Sequence, residues 1–580
     1  MISQRLGFIL LGALGGLAAW VLTELAGEHL LGLWGGRPLL GLGVFALIFF
    51  GAGLAILGEL GLRRAVISAA ALAAPVALLA LWKSLGFASA GQMLDTGHLM
   101  TALAVLGTIP VPFLVALKLE GRPGWCDYRV LFLESWNIVV RYAAAALFVA
   151  VVWGVLGLSA ALLKLVGLRE FADLLGEPVA VWLISGVALG LGLSVVTEMS
   201  DMVSPYLLLR LMRLLLPVLL GVVLVFVAVL PLRGLTHLFG SLSAAGILSA
   251  VAVAAISLVA IAVDQDDHEA VDAPVLRWSA RGLALGLPVL GGLAAWAVAL
   301  RVGDYGWTPA RVTAAAGVAV ILGYALIYAG AVLTGRAWMR WLRRGNIVMA
   351  LAVSGLALLW LSPVISPEAL AVRSQIARYE SGAADLRALP LWEMQAEWGI
   401  AGQRGLARLA ARAAEPGQEA LAERLALLER DDARWALQRD DAGAQADEAA
   451  LSAVLRVLPE GAALPEGLAG AILQANAASF TKDCAEPRAD GLPACLLVLT
   501  DFVPADPATD AVLLRPGARR VTLLSGEGGH WRIAASSGPE LAPGETLDGM
   551  IAALIAGQGR LVPSGQMALE ADGKVIGRSP

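Results

Sequence analysis

Long apolar runs follow one another through the first 365 residues, and most are close to the length that crosses a bilayer. A spanning helix needs about 20 mostly apolar residues. A chain surrounded by lipid must satisfy its own backbone hydrogen bonds, which favours helices. The pattern therefore predicts about eleven membrane helices. They lie near Leu6–Leu25, Leu39–Leu57, Ala65–Trp82, Leu99–Leu117, Trp136–Leu158, Val179–Val196, Leu214–Leu232, Leu242–Val263, Leu283–Leu300, Val312–Leu333 and Ile347–Leu361.

The pattern changes at Leu361–Tyr379, where the last apolar run gives way to polar sequence. Apolar positions then recur at helical spacing, and further on they alternate with polar ones between turns, which predicts strands. The sequence thus predicts a polytopic α-helical membrane protein with a C-terminal soluble α-helical region followed by a small α+β domain. The predicted boundaries are 1–365, 366–480 and 481–580. The expected strands are Cys495–Leu499, Ala511–Leu514, Arg520–Leu524, His530–Ala535 and Gln566–Glu570.

Prolines and glycines add detail to the predicted spans. Pro110 and Pro112 interrupt the fourth span and predict a kink there. Small residues four apart let helix backbones approach closely, so we interpret such pairs as packing devices. The pairs are Gly12 with Gly16, Gly186 with Gly190, and Gly282 with Gly286.

Composition and charge agree with this division. Hydrophobic residues make up 58% of the chain and charged residues 15%, well below the roughly 25% of soluble domains. Residues from Ser366 onward carry 20 Lys and Arg against 29 Asp and Glu, whereas the preceding part carries 22 against 18. An acidic tail does not attract phosphates, and no basic stripe alternates with aromatic residues. We therefore expect the lipid bilayer as a partner, and no nucleic acid.

The basic residues between spans predict the orientation. Fifteen Lys and Arg fall on one side of the predicted membrane and seven on the other. Cytoplasmic loops carry the excess of basic residues, so we expect a cytoplasmic N-terminus. An odd number of spans then places the tail outside the cytoplasm. We expect a bacterial inner membrane, with the C-terminal domain in the periplasm.

The tail contains two cysteines, Cys484 and Cys495, which close a short loop, CAEPRADGLPAC. A bacterial periplasm is oxidising, and disulfides form and persist there. The spacing permits a disulfide between them. The alternative is a pair of buried thiols.

Charge is scarce in the middle of the predicted spans, although ion-coupled transport usually needs it there. The best polar face consists of Glu134, Asn137 and Arg141, three and four residues apart. Glu134 and Arg141 form a candidate intramembrane polar pair. An interfacial anchor is the favoured interpretation, and a substrate site is the alternative.

Two short segments at the membrane surface share the same pattern of helix-starting residues. In the first, Gly306 permits a turn, Thr308 suits an N-cap and Pro309 suits the first helical position. The second begins with Ser366 and Pro367. Two spans separate the segments, so both emerge on the same side, and we predict that they pack together and orient the tail. The candidate residues are Tyr305, Gly306, Trp307, Thr308, Pro309, Arg311, Ser366, Pro367, Arg373 and Gln375.

Residues 278–398 carry a resemblance to a known family. The motifs are DYGWTPAR, SPVISPEALAVRSQIARYESG and LWEMQAEWGIAG. They resemble an uncharacterised family of bacterial multi-pass membrane proteins, known as domain of unknown function 4153. The resemblance implies an inner-membrane protein with a soluble C-terminal part, and it implies no reaction, substrate or catalytic residue.

No motif of the sequence predicts a catalytic reaction or a metal or cofactor site. We find no paired metal-ligand histidines, no CxxC and no glycine-rich phosphate loop, so we expect no catalytic residue, metal or cofactor. The sequence favours a non-enzymatic membrane platform that presents a periplasmic interaction domain to envelope or protein partners. The alternative is a transporter or lipid-handling protein with a cavity near the helix-kink region.

Overall fold

The computed structural model describes residues 2–28, 36–199, 205–233, 244–335, 337–384, 386–430 and 432–443 in long segments. Beyond these it describes 451, 455–465, 468–469, 472, 484, 495–502, 509–515, 518, 521–527, 530–537, 546–563, 567–571 and 574–578. Contacts within the chain separate two compact units, Met1–Ala411 and Arg412–Pro580.

Helices make up most of the described chain. In order they are α1 Ile2–Glu28, α2 Arg37–Leu60, α3 Leu62–Ser84, α4 Ala90–Leu94, α5 Gly97–Thr108, α6 Pro110–Leu119, α7 Gly121–Gly124, α8 Tyr128–Leu165, α9 Glu170–Gly176, α10 Pro178–Glu198, α11 Pro205–Arg213, α12 Leu215–Arg233, α13 Ala244–Val263, α14 Pro274–Tyr305, α15 Pro309–Leu333, α16 Trp338–Leu361, α17 Pro367–Glu380, α18 Leu391–Ala396, α19 Gly399–Ala413, α20 Glu419–Ala426, α21 Ala433–Gly443 and α22 Asp548–Ile555.

Eleven segments of the described chain are long and apolar enough to cross a membrane, which confirms the predicted fold class. Nine are single helices, and two combine neighbours, α5 with α6 and α11 with α12. The boundary between α5 and α6 falls at Ile109, immediately before the Pro110 that predicts a kink there. The helices α8 and α14 are longer than predicted, with 38 and 32 residues, because both continue past polar residues that ended the apolar runs.

Two of the predicted glycine pairs pack against each other and bring α1 against α10. A Cβ placed on Gly12 would lie 2.3 Å from the Gly186 carbonyl oxygen, and one on Gly190 would lie 2.3 Å from the Phe8 carbonyl oxygen. The third pair faces α12, where a Cβ on Gly282 would lie 2.9 Å from a Leu220 methyl carbon. These contacts show why the positions hold glycine.

Apolar side chains fill the spaces between the spans in separate clusters. One lies among α13, α14, α15 and α16 and includes the fully buried Tyr328 and Leu283. Another joins α2, α3 and α5 to the end of α16 and includes the buried Phe87 and Leu361. We call the end of the membrane body where α16 ends and α17 begins the exit end. The opposite end of α16 is about 36 Å away, and we call it the arginine end because Arg343 lies there.

The first unit extends past the predicted boundary at residue 365. The backbone N–H of Ile400 donates to the Gly86 carbonyl oxygen over 2.9 Å, and the Gln92 side chain donates to the Ala396 carbonyl oxygen over 2.7 Å. These bonds tie α18 and α19 to the segment between α3 and α5 at the exit end. The helices that directly follow the last span therefore group with the membrane body.

The second unit contains two sheets. A five-stranded sheet has the order β1 Leu455–Leu458, β2 Cys495–Thr500, β3 Thr509–Leu514, β4 Val521–Glu527 and β5 His530–Ser537. The first pair is parallel and the others are antiparallel. Leu496, Val512 and Ile551 bury one sheet face against α22. A second, antiparallel sheet contains β6 Arg560–Pro563, β7 Met567–Ala571 and β8 Lys574–Arg578.

Candidate functional site

Both predicted helix starts at the exit end have side-chain caps. The Thr308 hydroxyl accepts from the backbone N–H of Arg311 over 3.3 Å at the start of α15. The Ser366 hydroxyl accepts from the backbone N–H of Ala369 over 3.2 Å at the start of α17. Pro309 and Pro367 occupy the first helical positions. Each cap satisfies a backbone donor that the helix itself leaves open.

Three side chains of α17 bind the backbone of the turn between α14 and α15. The Gln375 amide donates to the carbonyl oxygens of Tyr305 and Trp307, over 3.0 and 2.8 Å. The Ser374 hydroxyl accepts from the Trp307 N–H over 3.0 Å. The Arg378 guanidinium donates to the carbonyl oxygens of residues 303 and 304, over 2.8 and 2.6 Å. We call these contacts the exit clamp.

The turn fits the exit clamp only because it contains glycine. Gly306 has a φ of 71°, in the left-handed region. A Cβ at this position would lie 2.6 Å from Arg378 Cδ and 2.9 Å from Gln375 Nε2. The Arg311 guanidinium donates to the carbonyl oxygens of Tyr305 and Gly306 and lies 5.4 Å from the centre of the Tyr305 ring.

The clamp contains Arg378, and the predicted Arg373 lies on the exposed face of α17. Residues 374 and 375 both lie on the helix face of residue 378, because they are four and three positions before it. Residue 373 is five positions before 378 and therefore points to another side.

A buried cluster of charged and polar side chains lies next to the clamp. Lys83 Nζ is 3.6 Å from Glu368 Oε2, and His98 Nε2 is 3.5 Å from Glu368 Oε1. Their side chains are 8%, 9% and 5% exposed. The Trp360 indole N–H donates to His98 Nδ1 over 3.1 Å. An indole nitrogen only donates, so Nδ1 accepts and the imidazole proton lies on Nε2, facing Glu368.

Lys83 and Glu368 of this cluster line a cavity of about 370 Å³ at the exit end. Trp82, Trp398 and Arg404 line other parts of it. Sequence reasoning missed the cluster. Lys83 ends one span, His98 begins another and Glu368 follows the last, so only the packing of span ends brings them together.

The predicted pair Glu134 and Arg141 is not a pair. Arg141 donates to Glu59 Oε1 of α2 over 2.9 Å, while Glu134 accepts from Asn137 over 3.4 Å. Arg141 therefore joins α8 to α2 through the Glu59 carboxylate. Glu134 is buried, at 8% exposure.

A second polar cluster lies at the arginine end. Asp264 is fully buried and pairs with Arg213. The Arg343 guanidinium donates to the carbonyl oxygens of Val263 and Asp264, over 2.8 and 3.1 Å. Burial raises the pKa of the Asp264 carboxyl above its ordinary value, and hydrogen bonding from the Gln265 N–H acts in the opposite direction. In the part of the chain that the structure describes, no group of three His, Cys, Asp or Glu side chains could hold a metal.

A second cavity, of about 430 Å³, lies at the break between α5 and α6. We call it the kink cavity. It is lined by Thr108, Ile109, Pro112 and Phe113, by Tyr128, Leu131, Phe132, Ser135, Ile138 and Val139 of α8, and by Tyr324, Asn346, Ile347 and Ala350. Four different spans therefore contribute to its walls.

In the second unit the structure joins Cys484 and Cys495 by a disulfide, with 5.2 Å between their Cα atoms. Both residues are buried, at 1% and 0% exposure, beneath one face of the five-stranded sheet.

Comparison with known proteins identifies the family of the chain. A model of the family described as Domain of unknown function (DUF4153) matches residues 40–391. The match confirms the resemblance from residue 278 to residue 391 and extends it back to the second span. The rest of the motif LWEMQAEWGIAG lies beyond the matched residues. No curated protein and no solved structure matches the chain.

Proposed function

We propose that the membrane body of this chain, which belongs to the DUF4153 family of unknown function, is a platform that holds the C-terminal region outside the cytoplasm. The protein is a multi-pass membrane protein, and its described residues contain eleven segments long and apolar enough to span. The exit clamp carries the proposal. It fixes the helix that follows the last span through five hydrogen bonds: four donated by Gln375 and Arg378, and one accepted by Ser374.

The basic residues support this sidedness. Arg213 and Arg343 lie at the arginine end, on the side that has fifteen of the 22 Lys and Arg before residue 366. Cytoplasmic loops carry the basic excess. The arginine end then faces the cytoplasm, and in a bacterial inner membrane the exit end faces the periplasm.

The second unit is suited to contact partners there. The disulfide between Cys484 and Cys495 supports an oxidising compartment, where such bonds persist. The C-terminal part is acidic, with 29 Asp and Glu against 20 Lys and Arg from Ser366. Its partners are therefore envelope components or proteins that present basic groups.

Reporter fusions test the proposed sidedness. We expect a phosphatase that needs an oxidising compartment to be active when fused after Pro580, and a fluorescent reporter that matures in the cytoplasm to be dark there. The same reporters fused after Gly335, at the arginine end, form the matched control and should give the reverse result. Cytoplasmic fluorescence from the C-terminal fusion would contradict the platform.

The kink cavity favours a second candidate function, a transporter or lipid-handling protein. Its wall includes the α5–α6 break at Ile109, and its exposed lining residues Thr108, Ser135 and Val139 belong to spans. A cavity in the spans with mostly apolar lining suits a lipid chain. Retention of lipid by the purified protein tests this candidate.

A further inference from the structure

The kink cavity opens sideways from the membrane body. Thr108, Ser135 and Val139 line it and are exposed. The two hydroxyls donate within their own helices, to the carbonyl oxygens of Ala104 and Leu131, each over 2.7 Å. The opening therefore offers apolar surface and no unmet polar group to the surrounding lipid.

A directional chain of hydrogen bonds ends in the same cavity. The Tyr328 hydroxyl donates to Asn346 Oδ1 over 2.7 Å, and Asn346 Nδ2 donates to the Tyr128 hydroxyl oxygen over 2.9 Å. The Asn346 oxygen already accepts from Tyr328, and the Tyr128 oxygen already accepts from Asn346. The Tyr128 O–H is left as the donor, and among the described residues no group accepts from it. Tyr128 and Asn346 both line the cavity.

The position of this donor matches the ester region of one leaflet. Tyr128 is the first residue of α8, next to Arg129, at the arginine end. The cavity extends along α8 to Val139. That distance is about 16 Å at 1.5 Å per residue, roughly half of a hydrocarbon core of about 30 Å.

We propose that the kink cavity binds one acyl chain of an ester-linked membrane lipid, with the Tyr128 hydroxyl donating to the ester carbonyl oxygen. The proposal rests on the lipid-handling candidate and adds the ligand class and the recognition group. The acyl chain of the lipid lies along Leu131, Ile138 and Val139 from the arginine end toward the middle of the membrane. The buried Tyr328 holds Asn346, and Asn346 holds Tyr128, so the donor is oriented before the lipid binds.

The test uses the full-length protein, transferred into an equimolar mixture of two phosphatidylethanolamines. One is a diester and the other a diether, and their hydrocarbon chains have the same length. Native mass spectrometry then measures the lipid that remains after detergent washing. We expect the protein to retain about one lipid, with the ester form favoured about fivefold, the ratio for one hydrogen bond. Tyr128→Phe should reduce that ratio to about one. Tyr324→Phe removes a hydroxyl from the same cavity outside the hydrogen-bond chain, and should keep the ratio.

A second pair of variants tests whether lipid binds in the cavity at all, independently of the Tyr128 hydrogen bond. Ser135→Trp fills the opening and should abolish retention, whereas Leu147→Trp, on an exposed position of α8 outside the cavity, should not. Equal retention by the native protein and Ser135→Trp would overturn both the lipid-handling candidate and this inference. Retention that Ser135→Trp abolishes, with no ester preference in the native protein, would overturn the Tyr128 contact alone. If Tyr324→Phe lowered the ester preference as much as Tyr128→Phe, the Tyr128 contact would be overturned as well.

Discussion

Replacing Glu368 with alanine is expected to lower the free energy of unfolding of the membrane body by about 3–5 kcal/mol. The substitution leaves Lys83, whose side chain is 8% exposed, as a buried charge without its carboxylate. It also leaves the His98 Nε2–H without the group it faces. Removing one partner of a buried pair costs far more than the pair itself contributes, because the remaining charge stays desolvated.

Unfolding by titration with a denaturing detergent, followed by tryptophan fluorescence, measures this loss. The matched control is Glu380→Ala, also on α17, because its partner Arg408 is 64% exposed and such pairs contribute about 1 kcal/mol or less. The double variant Lys83→Met with Glu368→Leu should recover most of the stability, since it removes both charges. Equal losses for Glu368→Ala and Glu380→Ala would contradict the buried cluster.

Gly186→Leu is expected to destabilise the membrane body by about 3 kcal/mol, the upper part of the range for overpacking. A Cβ at this position would lie 2.3 Å from the Gly12 carbonyl oxygen and 3.0 Å from Gly16 Cα. Those neighbours are backbone atoms of α1, so the new side chain cannot be accommodated by a rotamer change. The helices α1 and α10 must move apart and lose the packing between them.

The same detergent titration measures this effect, with Gly157→Leu as the control. Gly157 lies in the spanning helix α8, and a Cβ there meets nothing within 4 Å. We expect that variant to remain within about 0.5 kcal/mol of the native protein. Similar losses at both glycines would contradict the contact between α1 and α10 as the cause, because leucine itself favours a helix more than glycine does.

Features set by local sequence could be predicted. Span positions follow from the length of apolar runs, the α5–α6 break from Pro110, and the caps of α15 and α17 from Thr308 and Ser366. Each depends on residues only a few positions apart. Glycine spacing likewise marked close-packed faces in α1 and α10, although it did not identify them as partners.

Features set by contacts between residues far apart in the chain could not be predicted from the sequence. Lys83 and Glu368 are far apart in the chain, and nothing near either residue indicates the other. Arg141 has a carboxylate on its own helix at Glu134, yet its partner is Glu59 on α2. The strand β1 has four residues and pairs in parallel with a strand that follows about 40 residues later. Such a short run gives little periodicity to recognise.

Hydrogen exchange of α17 measures most directly whether the exit helix is fixed to the membrane body. A helix of 14 residues is marginal in water by itself, so slow exchange requires docking. We expect the amides from Glu368 to Glu380 to exchange as slowly as those at the adjoining end of α16. Gly306→Ala, which crowds Arg378 and Gln375, should accelerate exchange in α17, whereas Gly303→Ala, in open space, should not. Exchange of α17 at the rate of an unstructured peptide in the native protein would contradict the exit clamp and the platform built on it.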